Sequence, residues 1–313
     1  MAQIGSTQRG RLEVLFRRWW LVVAVAVAAL AGCRGHGHAG PEPSAAASDQ
    51  ENAEVAALLR LAEVKVDRLP AATQQRLLRI VAEQKCPCPV PGSLSECARA
   101  GRCVRARFAV RAVVRGLSRD EKDADITVRL LERFGPREPE TLDLEGTPCR
   151  GPAGAPAVLV LFSDFECPWC ALGRELVELL QKQAGPRLRV CFKHLPLTRL
   201  HEHAQLAAQA AVAAQLQDRF WPMHDRLFAH QKELAKDDLV EHARSLGLDL
   251  VRFRRDLDAP EVVARVKRDT DEAARLRIRG TPSFLINGRE MTDPKTPGDF
   301  LDWIAEAVAL RRQ

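Results

Sequence analysis

The chain has 313 residues and a formal net charge of +6, of which residues 1–32, with four Arg and one Glu, supply +3. The remaining +3 is too weak a balance for a nucleic-acid partner, and no basic run is interleaved with aromatics. The length allows one full-sized domain plus a smaller one, and nine cysteines fit an exported protein in an oxidising space.

Arg9, Arg11, Arg17 and Arg18 precede an apolar run from Trp19 to Leu30, which is short for a membrane span and reads as a signal peptide over residues 1–32. Leu30-Ala31-Gly32-Cys33 resembles a bacterial lipobox, which implies cleavage before Cys33 and its lipidation. The alternatives are a plain signal peptide or an uncleaved anchor. The lipid reading implies a periplasm-facing, membrane-anchored protein of the cell envelope. Residues 33–50, rich in Gly, Ala, Pro, Ser and His, read as a flexible tether, with His36 and His38 as solvated spacers.

Residues 51–138 carry the spacing of a small, mostly helical unit. Val55, Leu58, Leu59, Ala62 and Val66 mark one amphipathic helix, and Pro70 separates it from a second with Leu77, Leu78, Ile80 and Val81. A third runs through Phe108, Val110, Val113, Val114 and Leu117. Ser118-Arg-Asp-Glu121 fits a capping box that opens a fourth, which ends at Gly135-Pro136. Between the second and third helices lie Cys86, Cys88, Cys97 and Cys103 in a Pro/Gly-rich loop. Three readings stay open for them: structural disulfides, which a small helical unit needs; a second redox centre; and zinc, for which the spacing is unusual.

A Pro/Gly-rich linker over 139–156 leads to Val158–Phe162, an apolar run that predicts a strand buried on both faces. Cys167-Pro168-Trp169-Cys170 follows, then the helical pattern of Leu172, Leu176, Val177, Leu179 and Leu180. Strand, dithiol and helix in this order put Cys167 at a helix N-terminus with Pro168 in the first helical position. Orphan amides and the helix dipole there favour a thiolate, so an acidic Cys167 thiol is expected, with Cys170 one turn further in. A zinc half-site or an inert crosslink is the competing reading of such a pair. Arg187–His194 predicts a second strand. Residues 202–276 read as helical, with segments around Ala204–Leu216, Phe220–Phe228, Leu239–Leu246 and Val262–Leu276. Gly280–Gly288 predicts a third strand and a turn, and Arg289–Thr292 a short fourth strand. Phe300, Trp303, Ile304, Ala307 and Val308 mark one face of a last helix.

The Cys167–Cys170 motif after its strand, the helical block near 202–276 and Gly280-Thr281-Pro282 together resemble the DsbA-like branch of the thioredoxin superfamily over about residues 150–311. The resemblance implies an α/β thioredoxin fold over 157–313 with a helical insertion between strands two and three, preceded by the small helical unit. It implies a cis peptide before Pro282, opposite the dithiol, where free backbone pairs with an extended client. It further implies thiol–disulfide exchange with cysteines of exported proteins. Cys167 and Cys170 would be catalytic, Pro168, Trp169, Thr281 and Pro282 would tune redox poise and bind substrate, and no cofactor or metal would be needed.

A membrane or soluble redox partner would recycle the dithiol. An oxidase is favoured over a reductase or isomerase. A non-catalytic client-binding module and a cysteine-rich metal carrier are the readings from other classes. Many DsbA-like relatives carry a buried acid six residues before the first cysteine, and this chain has Leu161 there, which leaves water or Lys193 to assist Cys170. Gly116-Leu-Ser118-Arg-Asp-Glu121 and Arg133-Phe-Gly135 loosely resemble turns in thiol-handling domains of cytochrome c maturation proteins. Cys149 and Cys191 are expected as neighbours in the sheet, either bonded or as buried free thiols. His194, His201 and His203 are expected in surface or capping roles, and Trp221 and Trp303 as core aromatics.

Overall fold

A computed structural model describes residues 48–64, 69–292 and 296–312. The expected signal peptide, Cys33, His36 and His38 lie outside them. The tether gives way to helix before residue 50. Ser48 caps α1 (Asp49–Leu61), with Glu51 completing a reciprocal capping box. Then come α2 (Ala71–Glu83), the short α3 (Leu94–Arg99), α4 (Val104–Ser118) and α5 (Asp123–Phe134). Helix α3 lies inside what reads as a Pro/Gly-rich loop, where the capping box Ser93/Glu96 starts it.

The box expected at Ser118 does not form. Ser118 is the last residue of α4, its hydroxyl donating to the Arg115 carbonyl, and Glu121 binds Arg129 across the turn. Helix α5 starts instead after Lys122, with Asp123 and Asp125 in its first turn complementing the dipole. Gly116 lets α4 and α5 approach closely, since a Cβ there would sit 2.7 Å from Ile126 Cγ1.

The second half is a five-stranded sheet in the order β1-β3-β2-β4-β5. Its strands are β1 (Cys149–Arg150), β2 (Ala157–Ser163), β3 (Leu188–His194), β4 (Ser283–Ile286) and β5 (Arg289–Glu290). Strand β2 pairs parallel with β3 and antiparallel with β4. Strand β1 runs antiparallel to β3 and sets Cys149 opposite Cys191, which are disulfide-bonded. Along β2, Leu159 and Leu161 enter the main core on one face, while Val160 and Phe162 pack with Cys191, Ala273 and Leu285 on the other. Burial on both faces explains the unbroken apolar run.

Helix α6 (Pro168–Ala184) follows β2. Between β3 and β4 come α7 (Ala204–Gln215), α8 (Phe220–Ala229), α9 (Lys236–Ser245), α10 (Leu250–Leu257) and α11 (Pro260–Arg275). Helix α10 falls inside the block expected to be helical, and Asp249 caps it.

Helix α12 (Pro297–Leu310) joins the two halves. Phe300, Trp303, Ile304 and Ala307 face the sheet core, whereas Asp299, Asp302 and Glu306 meet arginines of α4 and α5. Arg111 binds Asp302 at 2.7 Å, Arg115 binds Asp299 at 3.0 Å, and Arg133 binds Glu306 at 2.9 Å while lying 4.5 Å over the Trp303 ring. Burial would raise the Asp299 carboxyl, but hydrogen bonds from Thr296, Arg119 and Arg115 outweigh it and hold the group below the usual carboxylate range.

Candidate active site

Strand β2 ends at Ser163, and four residues carry the chain to Cys167, the N-cap of α6. Pro168 at the first helical position supplies a preset φ and has no N–H to leave unpaired. Cys167 and Cys170 are both free thiols. The Cys170 N–H donates to the Cys167 carbonyl at 3.1 Å, which keeps the two residues in one turn. Access differs between them: Cys170 is fully buried and Cys167 is 4% exposed. The Cys167 sulfur is thus recessed, with the Thr281 carbonyl 3.7 Å from it. The Thr281–Pro282 peptide is cis, as the resemblance implied, and Thr281 meets Cys167 across 114 positions of sequence.

Burial pushes the Cys170 thiol up to about 12. The Ser163 and Thr281 hydroxyls and the Asp164 amide favour its thiolate without outweighing that desolvation. Neither hydroxyl has another hydrogen-bond partner. The Asp164 N–H lies 3.4 Å from the Cys170 sulfur. Its carboxylate turns away, accepting from the Leu197 and Glu166 amides at 2.8 Å each and lying 2.7 Å from His201 Nδ1. Glu166 in turn accepts from the His203 amide at 2.7 Å.

Leu161, at the position where relatives carry an acid, is buried in the main core. Lys193 cannot substitute for that acid. It lies beside Phe162 on the opposite face of the sheet, bound to Asp269 at 3.2 Å and Glu272 at 2.6 Å. The cause is register: one step along β3 moves a side chain to the other face.

Gln231, in the loop between α8 and α9, donates to the Phe165 carbonyl at 2.8 Å and to the Cys167 carbonyl at 2.9 Å. A lone Gln in a helical stretch carries no sequence signal for this. His194 is buried rather than a surface residue, ringed by Phe165, Phe192 and Phe220. Burial lowers it to about 4. Trp303 is a core residue, whereas Trp221 is half-buried beneath the Arg150 guanidinium, 3.9 Å from its ring.

An apolar groove of about 670 Å³ lies along α6, lined by Trp169, which stands between the two cysteines in sequence, and by Leu172, Leu179, Thr281, Pro282 and Phe284. Trp169 is 68% exposed and Leu172 55%, an unusual outlay of apolar surface in solvent. Among the described residues, the four loop cysteines pair as Cys86–Cys97 and Cys88–Cys103. With all four oxidised, the loop offers no thiolate to a metal.

Residues 158–305 match the DSBA-like thioredoxin domain family. The chain is 45% identical over 146 residues to the Na(+)/H(+) antiporter NhaA 3 of Salinispora tropica, covering 46% of this chain and 22% of that protein. It is 46% identical over 141 residues to the Na(+)/H(+) antiporter NhaA 1 of Salinispora arenicola, covering 45% and 21%. The chain thus spans only about a fifth of the length of these curated relatives. Among solved structures, oxidised BdbD from Bacillus subtilis is similar with a TM-score of 0.50 and 21% identity, over 55% of this chain and 97% of that one, a likeness of fold. No helix among the described residues is long and apolar enough to cross a membrane.

Proposed function

We propose, from the premise that residues 158–305 are a DSBA-like thioredoxin domain, that the chain is a thiol:disulfide oxidoreductase acting on cysteines of exported proteins. The observation that carries this is the unequal access of two sulfurs one helical turn apart, the outer one at the N-terminus of α6 and beside an open apolar groove.

When the pair is a disulfide, a client thiolate attacks the Cys167 sulfur, which alone of the two has any solvent contact. The Cys167–Cys170 bond breaks, a mixed disulfide forms on Cys167, and the electron pair leaves on Cys170. The buried Cys170 sulfur takes up a proton, as its high pKa requires. A second client thiolate then attacks the client sulfur of the mixed disulfide. The client leaves oxidised, and Cys167 keeps the electron pair beside the positive end of α6. That end favours the charge released there, which supports the oxidase direction over reductase or isomerase. Trp169, Leu172 and Leu179 offer apolar contact to an unfolded client, and the Thr281 backbone offers a main-chain partner, so clients are held without sequence preference. In this reading Cys33 anchors the protein by lipid at a periplasm-facing membrane, and a separate redox partner reoxidises the dithiol.

The reduction potential of the Cys167–Cys170 couple tests the direction. An oxidase is expected at or above about −180 mV, and a value near −270 mV would make the protein a reductant instead.

A further inference from the structure

We propose that the Cys86/Cys88/Cys97/Cys103 cluster is a second thiol–disulfide centre, in which an incoming electron pair is relayed between the two disulfides and held as an accessible Cys86/Cys88 dithiol. This does not rest on the reading of Cys167 and Cys170.

The sulfurs of Cys86, Cys97 and Cys103 all lie within 4.8 Å of one another, although Cys103 is bonded to Cys88 and not to either of them. A thiolate freed on Cys103 therefore has a neighbouring disulfide within attacking reach. Access is again unequal. Cys97 and Cys103 are buried, whereas Cys86 and Cys88 are half-buried at the lip of a cleft of about 800 Å³. The cleft has an apolar floor of Leu94, Leu130 and Phe134 and sits next to Leu131, which is 60% exposed. Two hydrogen bonds hold the loop here. Cys86 N–H donates to the Gly92 carbonyl at 3.1 Å, and Arg105 holds the Pro87 carbonyl at 3.3 Å.

The chemistry closes with a client dithiol as the reductant. One client thiolate attacks Cys88, forms a mixed disulfide there and expels Cys103. The Cys103 thiolate attacks Cys97, forming Cys97–Cys103 and expelling Cys86. The second client thiolate attacks the client sulfur of the mixed disulfide and frees Cys88. The client becomes a disulfide, its two electrons and two protons end on Cys86 and Cys88, and one cluster disulfide remains. Attack at Cys97 is preferred over attack at Cys86 because it places the leaving thiolate on the better-solvated sulfur. Cys103 is the N-cap of α4, without a side-chain cap, so its transient charge falls where helix amides are free.

The test uses the full chain with Cys167→Ser and Cys170→Ser, oxidised, treated with one equivalent of dithiothreitol and quenched with N-ethylmaleimide. Peptide mapping then locates the labels and the surviving bonds. Labels on Cys86 and Cys88 with Cys97 linked to Cys103 are expected, exceeding label on Cys103 by roughly tenfold or more, since burying a thiolate costs upwards of one pK unit. Labels on any other pair, on all four cysteines together, or on none without denaturant would overturn the relay and leave two structural staples. The same map on the unsubstituted chain, with labels at Cys167 and Cys170 counted separately, gives the cluster's answer even if the double variant folds poorly.

Discussion

The side-chain amide of Gln231, carried by the insertion between β3 and β4, donates to the carbonyl of Cys167 at 2.9 Å. The helical block therefore fixes the backbone from which the outer sulfur hangs. The same amide satisfies the Phe165 carbonyl, so one side chain sets both ends of the short connection into α6. Replacing Gln231 by Met keeps the bulk and removes the donor to the Phe165 carbonyl, while the Cys167 carbonyl keeps the Cys170 and Ala171 amides. We expect a loss of about 1–3 kcal/mol in urea-induced unfolding, with the Cys167 alkylation rate changed in the folded protein.

The Cys170 thiol, pushed up to about 12 by burial, is protonated at neutral pH, and only its thiolate can attack a mixed disulfide on Cys167. Resolution by Cys170 should accelerate about tenfold per pH unit between pH 6 and 9, far below the point at which the thiol titrates. A mixed disulfide of Cys167 with glutathione, followed by stopped-flow release, measures this. A pH-independent rate would show that a nearby base takes the proton.

His194 is neutral in its aromatic box, lowered to about 4 by burial from an ordinary value near 6.5. In the unfolded chain it binds a proton as pH falls through 6.5, while the folded chain does not until about 4. Stability is therefore whole above pH 6.5 and is lost between 6.5 and 4, by about 3 kcal/mol from this residue alone. His224, lowered in the same direction chiefly by burial, adds to the loss. Urea midpoints at pH 7 and pH 4.5 should differ accordingly, and His194→Phe should flatten that part of the profile.

Arg133 is almost fully buried, bound to Asp302 at 3.3 Å and Glu306 at 2.9 Å. Without Arg133, Asp302 keeps Arg111 and Glu306 keeps Arg105, so Arg133→Met should cost about 1–3 kcal/mol by calorimetry, for lost hydrogen bonds rather than a bare charge. Arg244→Ala, at an exposed pair on α9, should stay within about 0.5 kcal/mol.

Opening Cys149–Cys191, which spans 42 residues of sequence, should cost about 4 kcal/mol through the freedom returned to the unfolded chain. The Cys149→Ser/Cys191→Ser variant, compared by denaturant titration, reads this. The sequence placed these two cysteines side by side through strand register, but whether they bond depends on the close antiparallel pairing of β1 with β3.

Much of the site was legible because it is local. The apolar run Val158–Phe162, the dithiol and the helical pattern after it lie within one stretch, and each period predicts its own element. What escaped the reading depends on distance or on face. Lys193 looked available beside the dithiol until the register of β3 put it across the sheet. Gln231 and His194 have roles set by the insertion folding back over the loop, which no spacing announces. Ser118 and Glu121 have the residue types of a capping box, yet α4 continues through Ser118 and uses its hydroxyl for a carbonyl instead. The arginine–carboxylate seam along α12 was hidden for the same reason, as its partners are some 170–200 positions apart.

Which sulfur a client meets first decides the proposed mechanism. In the Cys170→Ser variant, incubated with an unfolded protein bearing a disulfide, a stable mixed disulfide on Cys167 should accumulate and be mapped by mass spectrometry. The Cys167→Ser variant should trap essentially none. Equal trapping by both variants, or trapping by neither, would contradict it.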